Sequence, residues 1–360
     1  MERYYLLLSR CAGDCGTAEA LHVLGKVCGF RVEVAGQGVI SIVSKNSENI
    51  VRCSSKLVCA RCIVKEVYRA SLSEGWDIAL GAAAEVLSRE LAMRASKERV
   101  GVDVEVSDVA LRLSAAERAL VAEKLISMLR ARDNRLVTLR STPDFHIWVG
   151  ILSDYLSFGV ILQKFRGDRY RSREPHRRVY RRPFALVPQV ARLILNFSLN
   201  PLHGPFLDAF CGTGATLIEA ALEGFYGVGV DLDYENIRGA RRNSLQHGVY
   251  HLIDLIISDA AHLPFRRDVF ALAAFDPPYG RAASCKGKQP HLLLTEALER
   301  VLASLKPGAR AAFLSPGSEE YSAVAESAER VCSIYVHSSL VRVLWVIEKS
   351  FAKNQQAELL

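Results

Sequence analysis

Four acidic residues stand directly after apolar runs in the second half of the sequence. Each run is predicted as a strand of a parallel sheet, and ligands of such sheets bind outside the carboxyl ends of the strands. The four carboxylates could therefore accept hydrogen bonds from polar groups of one bound molecule. They are Asp208, Asp231, Asp259 and Asp276.

The first of these acids precedes a glycine-containing turn, in L-D-A-F-C-G-T-G-A-T-L-I-E-A at 207–220. Gly212 and Gly214 permit a tight turn and close approach of a ligand to the N-terminus of the following helix. There is no G-x-x-x-x-G-K-[ST] phosphate loop, and Leu217 stands where a dinucleotide fingerprint has its third glycine. Asp208 would repel a pyrophosphate but suits the cationic amino-acid end of S-adenosylmethionine. The segment therefore favours that cofactor over NAD.

The next two acids have the spacing of nucleoside ligands. Asp231 can accept hydrogen bonds from both hydroxyls of a ribose, and Asp259 can accept one from an adenine amino group. Each could instead be a helix cap. The predicted cofactor contacts are Asp208, Phe210, Cys211, Gly212, Thr213, Gly214, Asp231, Leu232, Asp259, Ala260 and Asp276.

The fourth acid begins the motif Asp276-Pro277-Pro278-Tyr279. An exocyclic base amine is a poor nucleophile, because its lone pair is delocalised into the ring. Hydrogen bonds to the Asp276 carboxylate and the Pro277 carbonyl would free that lone pair, while Tyr279 offers a face to an extruded base. We predict that these four residues are catalytic by orientation and electrostatics, without a metal. The alternative is that the prolines simply end a strand.

The elements around these residues predict an α/β fold. Strands and helices alternate from about residue 185, which indicates a doubly wound parallel sheet with helices on both faces. The last two strands are joined by a short turn and must form an antiparallel hairpin. We expect a Rossmann-like, class I methyltransferase domain over 185–360. Before it, mixed short elements predict an α+β region, with a small ferredoxin-like unit at 1–50, a second domain at 51–163 and a helix near 54–70.

The formal net charge of +7 is concentrated in one segment, 164–182, which has nine Lys or Arg against Asp168 and Glu174. We predict that it binds nucleic acid, the alternative being a solvated linker, assigned as 164–184. The predicted RNA contacts are Lys164, Arg166, Arg169, Arg171, Arg173, Arg177, Arg178, Arg181 and Arg182.

With these motifs the chain resembles the D-P-P-Y amino-methyltransferases, and more closely the tRNA guanine-N2-methyltransferases with a THUMP domain. V-T-L-R-S-T-P-D at 137–144 looks like the last strand of THUMP, and R-R-P-F at 181–184 like the start of the catalytic domain. The resemblance implies S-adenosylmethionine as cofactor and guanine N2 of tRNA as target, at position 10 with position 6 as the alternative. It also implies a THUMP domain over 51–163 that, together with the small N-terminal unit, binds the acceptor stem and its 3′ end.

Other classes were weighed on the same residues. N6-adenine methylation, an NAD-dependent oxidoreductase and a non-catalytic RNA-binding protein stay open as alternatives. No apolar run is long enough to cross a bilayer, so we expect a cytoplasmic protein, and we expect a monomer. Nine scattered cysteines favour ordinary buried thiols with one incidental disulfide over metal or redox chemistry.

Overall fold

The structure is a computed structural model that describes residues 1–9, 14–139, 141–183, 185–279, 289–321, 328–338 and 340–351. The described residues form two compact units. Unit 1 comprises 1–9 and 28–166, and unit 2 comprises 14–27 and 167–351.

The strands and helices are numbered here in chain order. The strands are β1 (Glu2–Leu8), β2 (Arg31–Gly36), β3 (Val39–Ser44), β4 (Ala60–Ser71), β5 (Val100–Asp108), β6 (Leu136–Thr138), β7 (Phe145–Ile151), β8 (Tyr155–Lys164), β9 (Phe206–Asp208), β10 (Gly227–Asp231), β11 (Ile253–Ile257), β12 (Phe270–Phe275), β13 (Leu305–Pro316), β14 (Glu329–His337) and β15 (Leu340–Glu348). The α-helices are α1 (Cys15–Ala20), α2 (Ser47–Ser54), α3 (Trp76–Arg94), α4 (Ala115–Arg132), α5 (Pro188–Ser198), α6 (Ala215–Leu222), α7 (Tyr234–Gln246) and α8 (Pro290–Ser304).

Unit 1 contains one eight-stranded sheet in the order β2-β3-β1-β4-β8-β7-β5-β6. Among the described strands of this sheet, β5 runs parallel to both of its neighbours, β6 and β7, and the other pairs are antiparallel. The helix α3 precedes β5 in the chain, and α4 connects β5 to β6. Both helices pack on a core that contains Leu80, Leu87 and Leu129, all nearly free of solvent contact. The α+β character predicted for this half of the chain is confirmed.

The predicted helix near 54–70 is wrong, because most of that segment is the twelve-residue strand β4. The spacing of the apolar residues in this segment is compatible with a helix and with a strand. The β-branched residues Ile63, Val64 and Val67 fit a pleated strand better than a helix. Pairing of β4 with β1 on one side and β8 on the other decides between them.

The predicted boundary at residue 50 falls inside this single sheet, since β1 lies between β3 and β4. Residues 14–27 depart from the predicted small N-terminal unit and cluster with unit 2. Within unit 2 they are held by a disulfide from Cys15 to Cys332 and by a 2.6 Å hydrogen bond from the Asn196 side chain to Glu19. A segment of only fourteen residues could not bury a core of its own.

Unit 2 contains a seven-stranded sheet in the order β11-β10-β9-β12-β13-β15-β14. The first five strands are parallel, whereas β15 runs antiparallel to β13 and to β14. This is the class I methyltransferase arrangement predicted from the alternating elements. The core between α8 and the sheet includes Phe270, Phe275 and Phe313.

The cysteine prediction is wrong in its number of disulfides. Besides Cys15–Cys332, unit 1 contains Cys28–Cys53, and Cys59 is disulfide-bonded as well. Cys62 and Cys211 are buried free thiols. Spacing along the chain carries no information about these pairs, since one joins residues 317 positions apart.

Candidate functional site

The turn after β9 is shaped by two glycines. Gly212 has a φ of 49° and Gly214 a φ of 86°, values that L side chains rarely adopt. A Cβ atom at Gly214 would also lie 3.2 Å from that of Ala240 in α7. Gly214 is the N-cap of α6, so the turn presents backbone N–H groups at a helix N-terminus, as predicted.

The Asp231 carboxylate connects this turn to the end of β10. One oxygen accepts a hydrogen bond from the Gly212 N–H at 2.9 Å, and the other accepts from the Asp233 N–H at 2.9 Å and the Asn236 side chain at 3.1 Å. The N-cap of α7 is Asp233, not Asp231. The helix-cap alternative for Asp231 therefore fails, and the carboxylate holds the glycine turn in place.

Asp208 is the most deeply buried acid at this edge, with 1% of its surface exposed. Its carboxylate accepts from the Phe210 N–H at 3.1 Å. Burial, with smaller contributions from Asp231 and Asp276, raises its pKa from 3.8 to about 8. The Asp208 carboxyl is therefore uncharged at neutral pH when no cation is near. A cation bound beside it would favour the ionised form and would form an ion pair with it.

We expect that Asp208→Asn flattens the pH dependence of stability. Because the pKa of Asp208 is raised in the folded protein, its contribution to stability is fully present below the unfolded pKa. It is lost as pH rises toward about 8. Denaturant unfolding at several pH values in that window should show a shallower fall for the variant than for the parent. The exposed control Asp254→Asn should retain the slope of the parent, and an equal slope in all three proteins would contradict the expectation.

Asp259 follows β11 and caps the short 3₁₀ helix that begins at Ala260. Its side chain accepts from the Ala261 N–H at 2.9 Å and is 35% exposed. The capping alternative is thus realised in the structure. Capping occupies one carboxylate oxygen and leaves the second near His262, at 3.7 Å, so contact with an adenine amino group stays a prediction.

The Asp276-Pro277-Pro278-Tyr279 motif follows β12 at the same edge of the sheet. The Tyr279 hydroxyl donates to one oxygen of the Asp276 carboxylate. The Asp276 side chain is 15% exposed, and burial raises its pKa. The structure therefore places a desolvated hydrogen-bond acceptor beside an aromatic ring, which is the pair that the motif predicts.

Arg342 contacts this motif from β15 and is not among the residues predicted from the sequence. Its guanidinium Nη2 lies 3.3 Å from the second oxygen of Asp276, and its Cζ lies 5.8 Å from the centre of the Tyr279 ring. The guanidinium charge opposes the effect of burial on the Asp276 pKa. An arginine inside the apolar strand L-V-R-V-L-W-V-I-E was the available signal.

The predicted cofactor residues thus stand at the carboxyl ends of neighbouring parallel strands. Besides the Gly212 to Asp231 hydrogen bond, the rings of Phe210 and Phe275, 5.8 Å apart, connect the turn after β9 to the strand that precedes Asp276. Leu232, the residue after Asp231, is 38% exposed and offers an apolar surface. No group of acids, histidines and cysteines among the described residues could hold a metal ion.

The basic segment differs from a solvated linker and also from its predicted role. Arg178 is only 2% exposed and donates to the Leu186 carbonyl at 2.7 Å and the Arg173 carbonyl at 3.0 Å. Arg173 forms an ion pair at 2.5 Å with Glu219, whose side chain is 1% exposed. The assignment of Arg173 and Arg178 as RNA contacts is therefore corrected, because a phosphate would have to displace buried partners.

The other basic residues divide between the units. Lys164 and Arg166 belong to unit 1, and 167–182 belong to unit 2. Arg171, Arg177, Arg181 and Arg182 are exposed, and Arg182 pairs with Asp233 at 3.0 Å. The segment is fixed to the glycine turn through Asn243, whose side-chain amide donates to the Tyr180 carbonyl at 3.1 Å and to the Thr213 carbonyl at 3.0 Å.

The family comparison covers most of unit 2. Residues 175–343 match the model of the family UPF0020, RMKL-like, methyltransferase domain. The match is a likeness of this part of the chain to that methyltransferase domain. The matched residues include the glycine turn, all four acids and Arg342, so the site described above lies within them.

Curated relatives extend the likeness. The chain is 33% identical over 185 residues to a protein of Methanothermobacter thermautotrophicus named tRNA (guanine(10)-N2)-dimethyltransferase, covering 51% of this chain and 54% of that protein. It is 33% identical over 199 residues to a protein of the same name from Pyrococcus abyssi, covering 54% and 59%. The chain therefore spans between half and three fifths of the length of these relatives.

A solved structure resembles the fold over nearly the whole chain. The crystal structure of TrmN from Thermus thermophilus has a TM-score of 0.59 and 20% sequence identity, covering 96% of this chain and 99% of that one. At this identity the likeness concerns the fold. The likeness extends beyond residues 175–343 to the region that forms unit 1.

Proposed function

We propose that this protein is an S-adenosylmethionine-dependent tRNA methyltransferase that methylates the N2 amine of a guanine, at position 10. The observation that carries the proposal is the Asp276 carboxylate, buried beside Tyr279 at the same edge of the sheet as the glycine turn and Asp231. The names of the relatives in Methanothermobacter and Pyrococcus support the substrate and the position.

The residues present fit the proposed cofactor. A Cβ at Gly214 would crowd the turn, and Asp208 is a buried acid that lacks a cation among its described partners. In this proposal Asp208 and the turn hold the amino-acid end, Asp231 the ribose and Asp259 the adenine. The cofactor, when bound, supplies an electrophilic methyl group.

The chain's own residues prepare the amine. Asp276 and the Pro277 carbonyl accept its two N–H groups, which draws the nitrogen toward a tetrahedral geometry and frees the lone pair. When the amine takes the methyl group, the methyl carbon would leave the sulfur of the cofactor, and the one proton that the amine loses would pass to the Asp276 carboxylate. Burial raises the pKa of Asp276, which favours this proton transfer. Tyr279 fixes the carboxylate and presents its ring to the base.

The remaining parts of the chain serve tRNA in this proposal. Residues 51–163, which share one sheet with β1 to β3, act as a THUMP region within unit 1 that binds the acceptor stem. The exposed residues Arg171, Arg177 and Arg181 contact phosphates. The curated names imply tRNA as partner. No helix among the described residues has the length and hydropathy to cross a membrane. A cytoplasmic location and a monomeric state stay parts of the proposal.

The purified chain, given labelled S-adenosylmethionine and tRNA transcripts, tests the proposal. We expect label in transcripts with guanine at position 10 and none when that guanine alone is replaced. Label lost on replacing position 6 would reassign the nucleotide, and label retained on adenine would favour N6 chemistry. Binding of tRNA without transfer to any transcript would make the protein a non-catalytic tRNA binder. Mass spectrometry of the product distinguishes mono- from dimethylation.

We expect that Asp231→Ala weakens S-adenosylmethionine binding. Each lost hydrogen bond to the carboxylate is worth about 1.5 to 3 kcal/mol, and the Gly212 N–H loses its acceptor in addition. Calorimetry should show a rise in the dissociation constant of roughly 10- to 100-fold. Asp233→Ala, which removes the cap of α7 two residues later, is the control and should bind the cofactor as the parent does. Equal affinity in both variants would show that Asp231 does not contact the ribose.

A further inference from the structure

The guanidinium of Arg342 is placed for more than an ion pair. It reaches Asp276 from β15 and forms an ion pair with one carboxylate oxygen, while the Tyr279 hydroxyl donates to the other. The side chains of Arg342 and Asp276 are 14% and 15% exposed. Such a desolvated pair holds its geometry more firmly than a surface pair does.

The Nε atom of Arg342 is the unusual feature. It is buried and has no hydrogen-bond partner among the described residues. A buried N–H without an acceptor is unfavourable, and native structures rarely tolerate one without a reason. An arginine kept only for structure would have this donor satisfied, as the buried Arg178 does. A bound molecule that presents an acceptor would provide the hydrogen-bond partner that the Nε–H of Arg342 lacks.

Nucleobases provide a matching pair of groups. An exocyclic amine always stands next to a ring nitrogen that carries no hydrogen, which in guanine is N3 beside N2. A site that reads this edge needs an acceptor for the amine N–H and, beside it, a donor for the ring nitrogen. Asp276 is such an acceptor and Arg342 such a donor.

We propose that Arg342 is a substrate-positioning residue, which holds the Asp276 carboxylate ionised and oriented while its Nε–H donates to guanine N3. This inference rests on the proposed function, because it names the edge of the target base that the same site reads. In this arrangement the edge of guanine that carries N2 and N3, and not the N1 edge, faces Arg342 and Asp276.

The charge of Asp276 depends on all groups that face it. Among the described residues these are Arg342 and Tyr279 in contact, Asp208 at the end of β9, and Tyr321, which acts on Tyr279. Burial raises the pKa of Asp276, and the charge of Arg342 and the hydrogen bond from Tyr279 oppose that effect. Loss of an opposite charge in contact with a carboxylate raises the pKa of that carboxyl.

The first test needs no substrate. Carbon-13 NMR of the aspartate carboxyls in the full chain, with the Asp276 signal identified by its loss in Asp276→Asn, gives the titration midpoint of that group. We expect a higher midpoint in Arg342→Met and a midpoint near the parent's in Arg342→Lys, which keeps the charge. An unchanged midpoint in Arg342→Met would show that Arg342 does not keep the Asp276 carboxylate ionised.

The second test removes the acceptor from the base. With tRNA that carries 3-deazaguanosine at the target position, where N3 is replaced by C–H, we expect the parent to lose about 10- to 100-fold in kcat/KM. Arg342→Lys has no Nε–H, so its kcat/KM should be the same on the 3-deazaguanosine tRNA as on ordinary tRNA. A full further loss in Arg342→Lys would overturn the contact with N3.

Two controls separate the outcomes. Arg330→Met makes the same change at an exposed arginine of β14 and should match the parent in every assay. Thermal unfolding of each variant shows whether the fold persists, and Arg342→Lys keeps the test valid if Arg342→Met unfolds. If the parent transfers no methyl group to any tRNA, the proposed function fails, and the NMR titration alone then decides whether Arg342 controls Asp276.

Discussion

Asp276→Asn is expected to abolish methyl transfer while the affinity for S-adenosylmethionine stays within a few-fold of the parent's. The amide keeps the shape of the side chain and one acceptor, but it has no charge to attract the amine protons and cannot take the one that leaves. Loss of one such transition-state interaction costs about 2.7 to 4 kcal/mol, or roughly 100- to 1000-fold in rate. Single-turnover transfer to tRNA and calorimetry with the cofactor measure the two quantities separately.

The same variant also changes the neighbours of Asp276. Arg342 would lose its only ion-pair partner recorded in the described part of the chain, so thermal unfolding has to accompany the kinetics. Asp254→Asn, at an exposed position of β11, is the matched control and should retain full activity. Activity of Asp276→Asn above about a tenth of the parent's, with cofactor bound, would remove Asp276 from the chemistry.

The positions of the site residues could be predicted because topology determines them. Once alternating strands and helices indicate a parallel sheet, acids that follow the strands must meet at one edge. Asp208, Asp231 and Asp276 required no knowledge of packing for that reason. The hydrogen bonds made by Asp231 could not be predicted in the same way, because a helix cap and a carboxylate that binds the glycine turn have the same sequence pattern. Only the structure shows that Asp233 caps α7 and that Asp231 accepts from Gly212.

Long-range pairing explains the failures. The strand β4 depends on β1 and β8, which lie far from it in sequence, and Cys15 meets its partner Cys332 only in the folded unit. Arg342 reaches Asp276 because β15 is inserted between β13 and β14. A local pattern contains none of these neighbours, so the sequence indicated the residue types but not their contacts.

The basic segment shows the limit of charge counting, because Arg173 and Arg177 look alike in sequence and differ in burial. Arg173 pairs with Glu219, which is almost fully buried and whose remaining cation, Arg192, lies 4.0 Å away. Arg177 is exposed. We expect Arg173→Met to lower the free energy of unfolding by about 3 to 5 kcal/mol, because a buried carboxylate loses its closest partner. Denaturant unfolding measures this loss.

Arg177→Met is the matched substitution four residues later, and we expect its unfolding free energy to stay within about 0.5 kcal/mol of the parent's. Its effect should appear in tRNA binding, where each lost phosphate contact flattens the plot of log K against log salt by about 0.7 to 0.9. Arg173→Met, measured at a temperature where it is folded, should keep the parent's salt slope, since Arg173 faces Glu219 and not solvent. Equal slopes in Arg177→Met and the parent would mean that the exposed arginine does not contact phosphate. A flatter slope in folded Arg173→Met would instead restore that residue to the RNA surface, because only a cation in contact with phosphate releases counterions on binding.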